Sequence, residues 1–363
     1  MAKRVGVDKW MFGTVLLLVL FGLVMVFSAS AVMAQQDLGS PYAYVSKQAL
    51  WAVLGMVALA ALMRVDYRRY NSYPVVVSAI AMTTVLLVGV FAMHDSHHTH
   101  RWVKFGGMFT FQPSEIAKPV LVLFLAYFLQ TRMASMDDWR TVLKASAPPL
   151  LFAALILKEP DLGTALVCVG VLAMMLYLAG AQFKYFFIGA AAASPVMYYM
   201  LFHVAFRRAR MLSFLHPELD PKGAGFHIMQ SLIAVGTGGV WGRGLMEGVQ
   251  KLFYLPEPHT DFIFANICEE LGLIGALVVL GLFVFLGYRG LRAAVLSTDP
   301  FARFLAFGIT TTVLIQAFFN MSVVLKLVPT KGITLPLISS GGTSVFITLA
   351  SLGILLNITR EID

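Results

Sequence analysis

The chain is 363 residues long; 59% of its residues are hydrophobic, only 13% are charged, and its formal net charge is +8. Soluble domains carry about 25% charged residues, so this composition, with a mean hydropathy of +0.80, excludes an ordinary soluble domain and predicts a polytopic membrane protein. The length allows about ten spanning helices of ~20 residues with short loops, and we expect one integral membrane domain over residues 1–363.

Apolar runs of the required length predict an all-α polytopic fold with about ten transmembrane helices. The predicted spans are 11–34, 47–64, 74–93, 114–130, 147–158, 162–180, 185–204, 262–287, 304–325 and 343–358. The first run is too long for the apolar core of a signal peptide, so we expect it to remain as an anchor. The fifth is short, so we expect it to be broken or tilted. Cys168 and Cys268 lie inside apolar runs, which argues against a disulfide.

Orientation follows from the basic residues of short loops, since cytoplasmic loops are enriched in Lys and Arg. The relevant residues all fall on one side of the membrane if the N-terminus is cytoplasmic, and they are Lys3, Arg4, Lys9, Arg64, Arg68, Arg69, Arg132, Arg140, Lys144, Lys184, Arg289, Arg292 and Arg303. An even number of spans then places both termini in the cytoplasm.

One large external loop, about 205–261, lies between the seventh and eighth predicted helices. It is rich in basic residues, contrary to this rule. Its cations are Arg207, Arg208, Arg210, Lys222, Arg243 and Lys251. They indicate a binding role, although long loops also escape the rule in part. Residues 229–235 are apolar enough to lie in the membrane interface. Residues 236–244 form a glycine-rich turn, whose N–H groups are of the kind that bind anions.

The end of this loop, residues 250–264, gathers ionisable groups at the membrane boundary. Its two prolines keep the chain extended, and Thr260 or Asp261 is expected to cap the apolar helix that follows. Glu257, His259 and Asp261 are proton-handling groups at this boundary, which favours chemistry on a membrane-embedded substrate. A plain helix cap beside a solvated loop is the alternative.

Residues 111–118 open the fourth span with a second polar group. Ser114 is a plausible N-cap, and Glu115 and Lys118 stand three residues apart on one helix face, so they are able to pair. Ionisable groups within a membrane face the protein interior or a wet cavity. The pattern leaves open whether this ion pair is structural or lines a site.

Three further segments contain candidate residues. Residues 329–344, which include Lys331 and Ser339, fit a re-entrant wall of a polar site better than a simple loop, because so apolar a segment is poorly suited to water. Glu159 and Asp161 add acidic groups to the same external side. The cluster of His94, His97, His98 and His100 has donor types that bind metals, but a solvated loop is the favoured interpretation, and no metal ligands are assigned.

Several long motifs in order resemble the SEDS family (shape, elongation, division and sporulation) over nearly the whole chain. They are FQPSEIAK, EPDLGTA, RRARMLSFLHPELDPKGAGFHIMQSLIAVGTGGVWGRG, LPEPHTDFIFANICEELG and PTKGITLPLISSGGTS. This family is typified by the peptidoglycan glycosyltransferases FtsW and RodA, and the motif QKLFYLPEPHTDFIF is more similar to the division-type FtsW branch. The chain departs from the pattern at Glu159, where glutamine is usual, at Ser340, where an aromatic residue is common, and in its histidine-rich loop.

The resemblance implies polymerisation of lipid II on the outer face of the bacterial cytoplasmic membrane, by inverting transfer with release of undecaprenyl diphosphate. Asp261 matches the essential acid of the family and would be the general base. Substrate-binding residues are then expected among Arg207, Arg208, Arg210, Arg243, Lys331, Glu257, His259 and Ser339. A divalent cation, Mg²⁺ or Mn²⁺, is compatible with the diphosphate but is not firmly implied.

The implied partners are a class B penicillin-binding protein (a transpeptidase), other divisome or elongasome membrane proteins and membrane lipids, with no nucleic acid. A lipid II flippase is the alternative function, with Glu115 and Lys118 as its polar path. A non-catalytic scaffold is a third hypothesis, and it predicts that Asp261→Ala retains function.

Overall fold

The structure is a computed structural model of the chain. It describes residues 6–92, 101–105, 109–217, 224–252, 254–330 and 332–361. The histidine cluster at 94–100 and Lys331 lie outside these described residues.

Within the described ranges the chain is almost entirely helical. The α-helices are α1 (Lys9–Leu38), α2 (Ala43–Leu62), α3 (Tyr73–Gly89), α4 (Pro113–Leu129), α5 (Trp139–Lys158), α6 (Leu162–Leu178), α7 (Phe183–Phe202), α8 (Ala205–Leu215), α9 (Ala224–Gly238), α10 (Ile263–Leu296), α11 (Pro300–Val324) and α12 (Gly342–Thr359). Single 3-10 turns occur at Tyr67–Tyr70, Val90–Ala92 and Met133–Ser135. Strands β1 (Val103–Phe105) and β2 (Phe109–Phe111) form an antiparallel hairpin before α4.

The predicted all-α polytopic fold is confirmed, and every predicted span coincides with a helix. Eight of the described helices are long and apolar enough to cross a membrane, and α6 is a shorter apolar helix. The chain is therefore a multi-pass membrane protein.

Two predicted boundaries are wrong because polar residues extend the helices. Helix α5 is not short: it begins at Trp139, where the Asp138 carboxylate caps it by accepting from the backbone N–H of Arg140, and it continues through two internal prolines. Helix α10 runs nine residues beyond the predicted end at 287, to Leu296. Its added turns include Arg289, which forms an ion pair with Asp8 at 2.7 Å.

The described part of the large external loop contains two helices, α8 and α9. The apolar segment 229–235 belongs to α9, which continues to Gly238. The glycine-rich turn is therefore shorter than predicted. Gly239, Gly242 and Gly244 adopt positive φ angles of 56°, 79° and 114°, which glycine tolerates without steric cost.

This turn packs into a break in α10 at Gly272, where φ is 66° and ψ is −161°. The N–H groups of Arg243 and Gly244 donate to the carbonyls of residues 269 and 270, each at 3.0 Å. In return, the N–H of Leu273 donates to the carbonyl of Gly239 at 2.9 Å. The turn thus replaces hydrogen bonds that the broken helix lacks, as buried backbone groups require. Its N–H groups at 243 and 244 are used by protein rather than by an anion.

The segment 332–341 packs among the helices, and its backbone comes close to α1 and α2. A Cβ at Gly22 of α1 would lie 2.6 Å from the carbonyl oxygen of Leu337, so only glycine leaves room there. The side chain of Gln48, on α2, donates to the carbonyl of Ser339 at 3.0 Å and accepts from the N–H of Gly341 at 3.2 Å. The segment is therefore held by α1 and α2 as a buried wall.

Candidate active site

A polar cavity of about 400 Å³ lies between α4, the start of α6, the end of the large loop, α11 and the segment 332–344. Its lining residues are Arg101, Trp102, Gln112, Glu115, Lys118, Asp161, Thr164, Val167, Glu257, Thr260, Asp261, Gln316, Gly332, Ile333, Thr334, Ser340, Gly341 and Ser344. A cavity with converging polar groups is the usual setting of a small-molecule or reaction site.

Asp261 lies on the wall of this cavity, and its side chain is partly buried. The predicted cap is wrong: α10 begins at Ile263 with Phe262 as its N-cap, and no side chain caps it. Thr260 instead donates to the carbonyl of Glu257 at 3.3 Å. Among the described residues no hydrogen bond is made to the Asp261 carboxylate.

The pKa of Asp261 is raised to about 7, chiefly by burial and next by the nearby Glu257 carboxylate. Arg210 acts in the opposite direction, Asp161 adds to the increase, and Arg101 lowers it slightly. A carboxyl group with a pKa near neutrality is suited to accept a proton at physiological pH.

Two predicted substrate-binding residues hold the Asp261 loop instead of lining the cavity. His259 is buried and packs on the ring of Tyr44, with centroids 4.6 Å apart. Burial lowers the pKa of its imidazole, and Glu257 opposes this effect. Ser339 is also buried, and its hydroxyl donates to the carbonyl of Thr260 at 2.6 Å. Glu257, in contrast, is exposed at the cavity.

The floor of the cavity is a buried ion pair. Lys118 Nζ lies 2.8 Å from Glu115 Oε2 and donates to Gln316 Oε1 at 2.7 Å. The amide nitrogen of Gln316 then donates to the carbonyl of Thr334 at 3.1 Å. Both charged side chains line the cavity, so they are placed to contact a ligand as well as to join α4 to α11.

The predicted basic residues are not all brought to the cavity. Arg207 and Arg210 of α8 lie close enough to Arg101 for its charge to lower their pKa values, although burial is the larger cause for both. The negative charge of Asp261 opposes this effect and acts to raise the pKa of Arg210. Arg208 is exposed on the same helix. Arg243 lies on the glycine turn, 3.8 Å from the buried carboxylate of Glu269, and is not a lining residue of the cavity.

Arg101 is a site residue that sequence reasoning missed. Its Nε donates to the carbonyl of Glu159 at 2.8 Å, and its Nη2 donates to the carbonyl of Pro160. These bonds aim the guanidinium at the turn between α5 and α6 beside the cavity. The positive-inside rule could have indicated it, since Arg101 is another basic residue on the external side, where such residues are normally depleted.

The two acidic residues of this turn have different environments. Asp161 caps α6: its carboxylate accepts from the N–H and the hydroxyl of Thr164 at 3.1 and 2.9 Å, and from Gln112 at 3.2 Å. Glu159 is 0% exposed, and neither carboxylate oxygen has a hydrogen-bond partner among the residues that the structure describes. The pKa of Glu159 is raised to about 8, chiefly by burial and also by Asp161, with a partial offset by Arg101.

A second buried polar cluster, also missed, anchors the loop to α10. Glu270 accepts from Lys251 at 2.7 Å and from the hydroxyl of Ser28 on α1 at 2.7 Å. Glu269 accepts from the N–H of Val249 at 2.9 Å. These adjacent carboxylates hold residues 243–251 against the two helices.

Among the described residues, no group of three or more His, Cys, Asp or Glu side chains is arranged to hold a metal ion. Cys168 and Cys268 are both free and buried.

Comparisons with known proteins cover nearly the whole chain. Residues 8–363 match the model of the family of FtsW, RodA and SpoVE, described as cell cycle proteins. A protein of Geobacter metallireducens named probable peptidoglycan glycosyltransferase FtsW is 43% identical over 94% of this chain and 91% of its own. Stage V sporulation protein E of Bacillus subtilis is 39% identical over 99% of this chain and 98% of its own.

Solved structures share the fold. One, described as a peptidoglycan synthase complex with coordinated polymerization and crosslinking, superposes with a TM-score of 0.80 at 26% identity and covers 99% of both chains. The rod shape determining protein RodA of Thermus thermophilus superposes with a TM-score of 0.71 at 24% identity and covers 98% of both chains.

Proposed function

Because this chain belongs to the FtsW, RodA and SpoVE family of cell cycle proteins, we propose that it is a peptidoglycan glycosyltransferase that polymerises lipid II into glycan strands. The observation that carries this proposal is the Asp261 carboxylate, which faces a polar cavity and whose pKa is raised to about 7. The relatives at 43% and 39% identity, one of them named as such an enzyme, support it.

In the proposed reaction Asp261 is the general base. An acceptor sugar hydroxyl attacks the anomeric carbon of the donor chain and gives its proton to the Asp261 carboxylate. The new O–C bond forms as the bond between that carbon and the diphosphate oxygen breaks, so undecaprenyl diphosphate leaves with the bonding electrons. One displacement inverts the anomeric centre and needs no covalent intermediate. Proton transfer by a positioned base contributes roughly 10²–10⁴-fold to the rate.

The leaving diphosphate requires positive charge, and the geometry favours Arg210, Arg207 and Arg101 for this role. Arg210 and Arg101 interact electrostatically with Asp261, and Arg207 lies near Arg101. Arginine forms charge-assisted, bidentate bonds with phosphate oxygens. Arg208 and Arg243 are placed elsewhere, and Lys331 lies outside the described residues. The described residues offer no cluster that would hold a divalent cation, so no step here is routed through one.

We further propose that both termini are cytoplasmic and that the cavity opens on the outer face of the bacterial inner membrane. The basic residues of the short loops support this orientation. The similarity to a chain of a peptidoglycan synthase complex supports a class B penicillin-binding protein as partner, and the FtsW relatives support a role in septal synthesis during division, with other divisome proteins as further partners. The flippase alternative is not favoured, because the curated FtsW relatives are named as glycosyltransferases.

The test is polymerisation of lipid II by the purified chain in liposomes, with and without a class B penicillin-binding protein. Glycan strands from the wild-type chain, and none from Asp261→Asn of equal purity and insertion, are the expected result. Movement of lipid II across the bilayer without polymer would contradict the proposal and indicate a transporter instead.

A further inference from the structure

The backbone on both sides of Asp261 is held by an unusual set of hydrogen bonds. Four consecutive carbonyl oxygens, those of residues 258–261, each accept from a different group. The side-chain amide of Asn266 donates to the first at 2.7 Å, and the N–H of Ser340 donates to the second at 2.8 Å. The hydroxyl of Ser339 donates to the third at 2.6 Å, and the side-chain amide of Asn320 donates to that of Asp261 at 2.8 Å.

Asn320 differs from the other donors because its amide nitrogen makes a second bond to another segment. The same Nδ2 donates to the carbonyl of Ile333 at 2.6 Å, and the side chain is only 1% exposed. Ile333 follows Gly332, whose backbone faces the Asp261 carboxylate. One side chain of α11 therefore ties the segment of Asp261 to the wall at 332–334.

We propose that Asn320 is a positioning residue for the reaction, which holds the Asp261 carboxylate in place against the wall at 332–334 for the approach of the acceptor hydroxyl. This inference rests on the proposed function, since it concerns the base of that reaction. Asn320 itself touches no reacting atom and acts through Asp261. Without its amide, the carbonyls of Asp261 and Ile333 lose this donor and the two segments are no longer joined at this point, so the position of the carboxylate is no longer fixed.

A displaced Asp261 would also titrate differently, because its burial is the main cause of its raised pKa. The charged groups that face it are Glu257 on its own segment, Arg210 on α8, Asp161 at the start of α6 and Arg101 before β1. The two carboxylates raise its pKa and the two arginines lower it. Movement toward water reduces the desolvation, so the pKa falls toward its ordinary value.

The experiment compares Asn320→Leu and Asn320→Ser with Thr312→Val in the lipid II polymerisation assay. Leucine removes both bonds at similar volume, and serine keeps one short donor in case leucine prevents folding. Thr312 is the matched control, because its hydroxyl donates within its own helix, to the carbonyl of Gly308. Initial rates are measured against lipid II concentration and across pH 5 to 9.

We expect both Asn320 variants to lower kcat by about 10²-fold, the loss typical of a misplacement of about 1 Å, with KM for lipid II within about twofold. The pH at which the rate is half-maximal should move below that of the wild-type chain, which a loss of folded protein would not cause. Unchanged kcat, or an equal loss at every pH without movement of this midpoint, would overturn the proposal. Its failure would leave the proposed function intact as long as the wild-type chain polymerises lipid II and Asp261→Asn does not.

Discussion

The carboxylate of Asp261 occupies the space that a side chain at position 332 would need: a Cβ on Gly332 would lie 2.9 Å from Asp261 Oδ2. Gly332→Ala should therefore push the carboxylate out of place and lower kcat by about 10²-fold, because catalysis is sensitive to shifts of about 1 Å. The measurement is the polymerisation rate of purified variants with matched thermal stability.

Gly341→Ala is the control for this substitution, because Gly341 lines the same cavity. Its Cβ would meet side-chain atoms of Thr334 and Ser344 at 3.5 and 3.6 Å, which is ordinary contact. Near-normal activity is expected there. Equal activity of the two variants would show that the wall at 332 does not constrain the base.

The pH dependence of the wild-type rate should report the base directly. Because the base must be ionised and its pKa is raised to about 7, the rate should increase as pH rises through about 7. Glu257→Gln removes a charge that raises this pKa, so its midpoint should move to lower pH while activity is retained. Asp261→Asn should remain inactive at every pH. A midpoint unaffected by Glu257→Gln would indicate that another group controls the profile.

Features that depend on neighbouring residues were predictable from the sequence. Apolar runs locate the helices, and the three-residue spacing of Glu115 and Lys118 on α4 is enough to bring them to 2.8 Å. Such spacing operates within one helix, so no knowledge of packing is needed.

Features that depend on contacts between distant segments were not predictable. In the sequence, nothing distinguishes Arg243 from the other arginines of the large loop, but in the fold it lies beside Glu269 of α10. His259 and Ser339 carry functional groups typical of binding sites, yet the packing of the loop against the wall at 339–340 buries both. Asn320 lies near the end of a predicted span, and nothing local to α11 indicates that its amide reaches Asp261 and Ile333.

The ion pair of Glu115 and Lys118 should behave as a coupled unit. Glu115→Gln or Lys118→Met alone leaves an uncompensated buried charge and should cost about 3–5 kcal/mol, whereas the double variant should cost less than the sum. The free energies of unfolding of the wild-type, single and double variants, measured in detergent, complete this double-mutant cycle. The exposed pair of Arg68 and Glu361, 2.7 Å apart, is the control and should couple by less than about 1 kcal/mol. Additive costs at 115 and 118 would contradict the coupling.

Glu159 should make the stability of the chain fall as the pH rises from acidic to mildly alkaline values. Its folded-state pKa is raised from 4.5 to about 8, so its contribution is fully present below the unfolded value and is lost progressively until the pH reaches about 8, above which both states are ionised. Glu159→Gln stays neutral, and its melting temperature should fall less between pH 5 and 8 than that of the wild-type chain. Glu247→Gln, at an exposed position, is the control. Parallel decreases in all three proteins would show that Glu159 is not the titrating group.

The basic residues of α8 allow a test of the diphosphate site on one helix. Arg210 interacts electrostatically with Asp261 and Arg101, whereas Arg208, two residues earlier, is exposed. Arg210→Ala should therefore raise KM for lipid II by about tenfold or more, since a charge-assisted bond to phosphate contributes about 1.5–3 kcal/mol. Arg208→Ala should lie within about twofold of the wild-type chain, because exposed charges contribute little.

Arg101→Ala should resemble Arg210→Ala, and Arg210→Lys should restore binding only in part, because an ammonium group lacks the planar fork of the guanidinium. The alternative is that these cations only attract the loop to anionic headgroups, which salt would screen equally at every position. Rates are therefore measured against lipid II concentration at two ionic strengths. Equal, salt-sensitive losses at positions 101, 208 and 210, each fully restored by lysine, would place the diphosphate elsewhere in the cavity.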